Sequence, residues 1–441
     1  MKRKIVQVII AAFVFTALGG CQVDKQQGVS QSIVANEKST FDEGDKNTDA
    51  ERTVPDKEDV NRDAVAEDIE DTEEVVIDNL EDEAESKKEP VVITQEELKN
   101  MNSVDFAKVL KFGWNLGNTL DANSKRGLES ETCWYQPKTT PELIAYVKEV
   151  GFTSIRIPVS WGNHVDDEYQ IDPEWMARVK EIVDYALDED LYVIINSHHD
   201  NDFYYPSVEH HDESAKFIEV IWSQIAEGFK DYDYRLIFES MNEPRLSGTD
   251  IEWWFPVSDL KGKEAIGEIC KLNQVFVDTV RASDGYNKDR FLMVPSYAAN
   301  PDCTFNNAFY MPEDSADGKM MLSVHAYTPY DFAGNKDGYS DWDGSKNYEF
   351  GFMGKLKAMF INEGYGVVIG EFGATNKDND KARASWARAY CQKAAEYGIS
   401  YFVWDNGATG VGEENFGVID RQKLKLYYPD LFEAYMTGYP D

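Results

Sequence analysis

Residues 91–441 predict an α/β fold: a single (β/α)8 barrel of the TIM type, preceded by an acidic linker without structure of its own. Three observations point there. Eight short apolar runs recur along this region, most of them followed by a segment with helical amphipathic spacing. A repeated strand–helix unit closes into a parallel barrel because βαβ crossovers are right-handed. Finally, the polar residues capable of chemistry gather at the C-terminal ends of the apolar runs, the face on which such a barrel builds its site.

The strands are expected at Lys111–Leu116, Ser154–Val159, Tyr192–Ser197, Leu236–Ser240, Phe291–Ser296, Met321–Ala326, Val367–Glu371 and Tyr401–Trp404. Helices are expected at Pro141–Val150, Pro173–Asp188, Ser214–Phe229, Gly262–Ser283, Phe350–Gly364 and Asp380–Tyr397. Thr140 before Pro141 and Asp172 before Pro173 are capping residues followed by a proline at the first helical position.

Ahead of the barrel the composition differs. Met1-Lys2-Arg3-Lys4, the apolar stretch Ile5–Leu18 and Gly19-Gly20-Cys21 carry the marks of an export signal over residues 1–21. The apolar run falls short of the roughly 20 residues a membrane span needs. Cys21 after Leu18-Gly19-Gly20 resembles the lipobox of bacterial lipoproteins, so lipidation at Cys21 and a place in the cell envelope, or secretion, are expected. Residues 22–89 hold 23 acidic against 8 basic residues, with Phe41 the single aromatic. Such a stretch buries too little apolar surface to offset its ordering entropy, so a spacer over residues 22–90 is expected.

The whole chain carries a net charge of −37, which disfavours nucleic acid and anionic lipid as partners. Membrane contact is expected only through the N-terminal lipid, and a monomer is expected. Cys133, Cys270, Cys303 and Cys391 form no metal-binding pattern and no dense disulfide framework.

The chemistry is concentrated in two glutamates. Glu243 follows Leu236-Ile237-Phe238-Glu239-Ser240-Met241-Asn242 and precedes Pro244; Glu371 ends Val367-Val368-Ile369-Gly370 and precedes Phe372-Gly373. Each is delivered to the end of an apolar run that Pro or Gly then breaks. Two carboxylates meeting from separate strand ends suit cleavage of a glycosidic bond, one protonating the leaving oxygen and the other attacking or activating water. Arg156, inside Ile155-Arg156-Ile157, must be paired if it is buried. Glu239 lies in a strand interior and is read as supporting. His198, His199, His210 and His211, with Asp200 and Asp212 nearby, invite a metal. Adjacent strand residues face opposite sides, however, so His198 and His199 are not expected to share an ion; neither metal nor cofactor is expected.

Taken in order, Gly113-Trp114-Asn115-Leu116-Gly117-Asn118-Thr119-Leu120-Asp121, the Arg156 run, His198-His199-Asp200, Asn242-Glu243-Pro244, His325-Ala326-Tyr327, Gly370-Glu371-Phe372-Gly373 and Trp404-Asp405-Asn406-Gly407 resemble glycoside hydrolase family 5. The likeness is to its bacterial endoglucanase and xyloglucanase branch, and it runs from about Phe106 to Tyr435. The resemblance implies a retaining endo-β-1,4-glucanase acting on a β-glucan polysaccharide, with Glu243 as acid/base and Glu371 as nucleophile. It further implies that Arg156 bonds the nucleophile, Asn242 the sugar 2-hydroxyl, and Tyr327 the Glu371 carboxylate. His325 would orient the pair or the sugar, His198 and His199 would line the cleft, and Trp404 would stack under the sugar that is cleaved.

Xyloglucan, xylan, mannan and mixed-linkage glucan stay open as substrates, and a non-catalytic oligosaccharide-binding lipoprotein is the remote alternative. Trp134, Trp161, Trp253, Trp254 and Trp342 are candidate sugar platforms, and the aromatic stretch Tyr327–Phe352 suggests an extended cleft.

Overall fold

The computed structural model describes residues 93–439. The export segment, Cys21 and the acidic stretch lie outside the described residues. The strands are β1 (Phe112–Asn115), β2 (Ser154–Ile157), β3 (Tyr192–Asn196), β4 (Leu236–Glu239), β5 (Leu292–Pro295), β6 (Met320–His325), β7 (Gly366–Phe372) and β8 (Ser400–Val403). They form a closed barrel in sequence order, all neighbours parallel, with β8 pairing back to β1. All eight expected strands are present, within one or two residues at most ends.

Helices α1 (Gln95–Asn100) and α2 (Ser103–Leu110) precede the barrel and were not anticipated. Outside the strands, α3 (Pro141–Glu149), α4 (Pro173–Asp188), α5 (His211–Gly228) and α6 (Leu260–Ala282) follow β1 to β4 in turn. Thr140 and Asp172 cap as expected, accepting from Leu143 N at 3.3 Å and Glu174 N at 2.9 Å. The regular alternation then loosens. Only a 3-10 turn (Tyr297–Ala299) and the single turn α7 (Pro301–Thr304) follow β5, and the long β6 connection holds α8 (Tyr330–Ala333) and α9 (Gly351–Met359). The expected helix over Phe350–Gly364 is shorter because 3-10 turns take up both its ends, and Gly364 stops it at φ 93°. Finally α10 (Asp380–Glu396) follows β7 and α11 (Pro429–Met436) completes the ring.

Period-two alternation divides the strand residues into two cores. Ile155, Ile157, Val193, Ile195, Phe238, Val324 and Ile369 join one cluster with helical residues such as Trp175, Phe217 and Trp222. Ile194, Ile237, Met293, Met321, Val368 and Phe402 join a second with Leu98, Phe106 and Leu110, so α1 and α2 close the lower end of the barrel. Phe106 stacks on Phe291 with centroids 3.8 Å apart. Burying a side chain of this size stabilises by roughly 1.5–3 kcal/mol.

Above the apolar floor the inward side chains turn polar. Asn115, Arg156, Asn196, Glu239 and Ser323 come from five different strands and are fully buried. The polar residues at the C-terminal strand ends stand on this ring.

Candidate active site

Arg156 is the hub of the polar ring. Its Nε donates to Glu239 at 2.7 Å, Nη1 to Asn115 at 3.0 Å and to Glu371 at 2.8 Å, and Nη2 to Asn242 at 2.7 Å. Both readings of Arg156 therefore hold: it is a buried ion pair within the barrel and a donor to Glu371. Glu239, also read as supporting, accepts from Asn196 at 3.0 Å and Ser323 at 2.6 Å as well. Three side-chain donors thus satisfy this fully buried carboxylate. Burial lowers the arginine's proton affinity, but the charges of Glu239 and Glu371 prevail and hold it above the ordinary guanidinium value.

Glu371 is aimed inward by an irregularity in the β6–β7 ladder. The register shifts after Val324, His325 pairs with Glu371, and Ala326 N donates to Glu371 O at 3.0 Å. Tyr327 donates its hydroxyl to Glu371 Oε2 at 3.0 Å, so this carboxylate is held by donors on both oxygens. Burial, with the Glu371 and Glu243 charges, pushes the Tyr327 phenol well above its usual value and keeps it a donor.

Glu243 lies in the connection beyond β4, its carbonyl held by Asn201 Nδ2 at 2.8 Å and Arg245 Nη1 at 2.9 Å. His325 Nδ1 lies 2.8 Å from Glu243 Oε1 and 3.7 Å from Glu371 Oε1. A carboxylate oxygen of Glu243, one of Glu371 and a His325 ring nitrogen all fall within 4.8 Å of one another. The two glutamates do converge from strands four and seven.

Their proton affinities run against expectation. Like-charge repulsion from Glu371 alone would raise Glu243. Burial does raise it, but the hydrogen bond and charge of His325, aided by Arg245 and His199, prevail and bring Glu243 below the ordinary carboxylate value. Burial and the charge of Glu243 instead raise Glu371, against His325 and Arg156. His325 is itself raised: burial opposes its charge, but Glu371 and the hydrogen bond to Glu243 outweigh burial. The positive charge His325 gains on protonation, 2.8 Å from Glu243 and 3.7 Å from Glu371, accounts for this order.

The remaining expected residues surround the pair. Trp404 is buried, its ring parallel to that of His198 with centroids 5.8 Å apart. Gly117 permits this position, since a Cβ there would meet the Trp404 ring at 2.8 Å. His198 Nε2 stands 4.0 Å from Glu371, and Asn196 Nδ2 lies 3.1 Å from His198 Nδ1. Burial depresses both His198 and His199, the latter to about 4, so both rings are neutral.

The opposite-face reasoning about these histidines does not hold. β3 ends at Asn196, so strand alternation no longer governs them, and one ligand atom each from Asp121, His198 and His199 lies within 4.8 Å of the others. This trio and Glu243–His325–Glu371 are the groups spaced to hold a cation among the described residues. His199 Nε2 stands 3.8 Å from Asp121, whose carboxyl burial lifts to about 6. His210 and His211 sit apart, with His211 Nδ1 2.9 Å from Glu268 on α6.

The tryptophans divide. Trp253 and Trp254, in the connection that follows Glu243, are each 54% exposed, with the Arg245 guanidinium 3.9 Å over Trp253. Trp134 is half-buried against His199 at 5.5 Å. Trp161 and Trp342 are core: Trp161 is fully buried and donates to Asn196 O, and Trp342 packs on Phe332 and Phe350. The four cysteines of the barrel are free.

Sequence reasoning assigned no role to Asn115, Asn196, Ser323 or Arg245. The first three are polar residues inside otherwise apolar strands, the same signal that exposed Arg156.

A closed barrel with two carboxylates meeting at its mouth is the plan of a glycoside hydrolase, and similarity to known proteins agrees. The chain matches the model of the cellulase family (glycosyl hydrolase family 5) over residues 120–410 and belongs to that family. It is 42% identical to Endoglucanase 1 of Ruminococcus albus over 361 residues, 81% of this chain and 86% of the other. A glycoside hydrolase 5 lichenase from a Caldicellulosiruptor species, solved with cellotetraose, superposes with TM-score 0.74 at 43% identity, covering 77% of this chain and 96% of that one. A broad-specificity endoglucanase from Ruminococcus champanellensis with bound cellotriose gives TM-score 0.73 at 41% identity over 76% and 98%. The protein is a glycoside hydrolase of the cellulase type.

Proposed function

We propose that this enzyme cuts internal β-1,4 bonds of β-glucan chains by double displacement with retention, Glu371 as nucleophile and Glu243 as acid/base. The observation that carries the reading is the approach of Glu243 and Glu371 oxygens to within 4.8 Å. Retaining enzymes hold their carboxyl groups about 5–5.5 Å apart, inverting ones roughly 6.5–9.5 Å.

Glu371, whose two carboxylate oxygens accept from Arg156 and Tyr327, attacks the anomeric carbon as the bond from that carbon to the leaving oxygen breaks. Glu243 supplies the proton to that oxygen. Glu243 anion with His325 cation, and neutral Glu243 with neutral His325, differ only by a proton moved across a 2.8 Å contact. The pair therefore stores the proton that the leaving group takes. In the second step Glu243 accepts a proton from water, the water oxygen bonds to the anomeric carbon, and Glu371 departs. Asn242 has its oxygen engaged by Arg156, which turns its amide N–H groups free for the sugar 2-hydroxyl. Trp404 and His198 offer parallel ring faces to the sugar, and the exposed Trp253 stacks under Arg245, whose guanidinium lies 3.7 Å from Glu243.

The relatives named as endoglucanase and lichenase support a β-glucan as substrate, and the broad-specificity relative keeps xyloglucan, xylan, mannan and mixed-linkage glucan as the alternatives. Residues 1–21 support export with a lipid on Cys21, and the acidic composition of residues 22–90 supports a spacer that precedes the barrel in the sequence. Incubation with carboxymethylcellulose, mixed-linkage glucan, xyloglucan, xylan and mannan, with product sizing, tests the substrate. Proton NMR of the first product tests the stereochemistry. Release of the α-anomer first, or single sugars trimmed from chain ends, would overturn the proposal.

A further inference from the structure

The segment Thr375–Asn379 begins four residues beyond Glu371 and fastens a loop on either side. Toward the β6–α9 connection, the Lys377 ammonium donates to three backbone carbonyls, Asp331 at 2.9 Å, Asn335 at 2.8 Å and Tyr339 at 3.0 Å. These carbonyls recur every fourth residue and converge on one point, as main-chain oxygens do around a bound cation. Gly338 makes the coil possible, since a Cβ there would lie 1.8 Å from the Asp331 carbonyl oxygen. Asn379 Nδ2 donates to Ser340 O at 2.8 Å, and Thr375 N to Ala333 O at 2.8 Å.

Toward the loop after β8, Asn376 N donates to Asn415 O at 3.0 Å and Asn376 Nδ2 to Gly410 O at 3.0 Å, while Gly412 N returns a bond to Asn376 O at 2.8 Å. The segment thus ties together the two loops that start at Tyr327 and Trp404. Among the described residues Lys377 makes no ion pair, so its charge is met by carbonyl oxygens alone, over the face of Phe332 at 5.6 Å. Burial weakens its hold on the proton, against the charge of Asp331.

We propose that Lys377 is a tethered cation that positions the Tyr330–Gly344 loop as a wall of the polysaccharide cleft, filling with an ammonium group a carbonyl cage suited to a free ion. Lys377 is a positioning residue: it touches neither carboxylate of the pair, and its effect falls on a long chain that reaches the loop, not on a short substrate confined to the pair. The inference rests on the cleft being the polysaccharide site.

Lys377→Ala removes the side chain beyond Cβ and opens a channel of the size of n-propylammonium. Losing charged hydrogen bonds that order a wall should raise KM for soluble β-glucan about tenfold, with kcat nearly unchanged. Hydrolysis of an aryl β-cellobioside should stay close to wild type. Added n-propylammonium should restore KM for the polymer, while n-propanol or sodium chloride at the same concentration should not. Lys377→Met, which fills the channel without charge, should show the polymer defect and resist rescue; it also carries the test alone if the alanine variant does not fold.

Equal losses on both substrates without rescue would make Lys377 merely structural and overturn the proposal. An unchanged KM for polymer, or rescue by propanol, would overturn it too. A wild-type enzyme inactive on both substrates would instead strike the reading of the cleft itself.

Discussion

His325 places Nδ1 2.8 Å from Glu243 Oε1, close enough for the imidazole and the carboxyl to hold one proton between them. The same nitrogen stands 3.7 Å from Glu371, so its charge is felt by both members of the pair. Removing it changes the proton balance of the site without touching either carboxylate.

The pH behaviour follows from that contact. The folded-state value of His325 is raised above its ordinary 6.5. Its contribution to stability is complete below the unfolded value and is lost as pH rises through the raised folded value. The melting temperature should therefore decline with increasing pH across that window. His325→Asn should flatten the decline and move the alkaline limb of kcat/KM, since the shared proton is gone. Superimposable melting profiles for the two proteins from pH 6 upward would refute the assignment.

Azide distinguishes the roles of the carboxylates. Glu371→Ala should abolish turnover, and azide should then give a glycosyl azide of inverted configuration. Glu243→Ala should keep some activity on aryl glycosides with good leaving groups, with azide yielding the β-product. The reverse pattern of products would mean the two roles are exchanged.

Arg156 is fully buried and answers to two carboxylates. Arg156→Met matches its bulk but leaves Glu239 and Glu371 uncompensated, a loss of about 3–5 kcal/mol in unfolding experiments. Adding Glu239→Gln to Arg156→Met should recover part of that loss, because the sites are coupled. Activity should stay low in both, as Glu371 lacks its charged donor. A single variant as stable as wild type would contradict the ion-pair account.

The acidic N-terminal region should be dispensable for chemistry. Deleting residues 22–90 should leave activity on soluble glucan and the melting temperature nearly unchanged, because the barrel buries its own core. Cys21→Ser should shift the processed enzyme from the membrane fraction to the medium, since acyl chains supply the anchoring free energy. Loss of activity on truncation, or membrane retention after Cys21→Ser, would count against the spacer and the anchor respectively.

The eight strands were legible because each is a local pattern: a short apolar run of four to six residues, flanked by polar residues, Gly or Pro. The helix starts at Pro141 and Pro173 were legible for the same reason, cap and first turn being neighbours in the chain. The pairing of Glu243 with Glu371 was inferable once the strands were numbered, because a barrel brings all its C-terminal strand ends to one face. Helices α1 and α2 escaped notice. They are short, and what holds them is the floor of the barrel, built from Ile194, Ile237 and Phe402 far along the chain.

The sequence by itself determined the barrel, the face that carries the site, and the two carboxylates on it. Tertiary structure alone decided who holds whom. Arg156 reaches Glu371 across 215 positions, and His325 reaches Glu243 across 82. It also separated the exposed Trp253 and Trp254 from the buried Trp161 and Trp342, and turned two adjacent histidines toward one aspartate just past the end of a strand. Periodicity records which side of an element a residue faces. Proton affinity and exposure depend on which distant atoms arrive within a few ångströms, and closure of the barrel sets those distances.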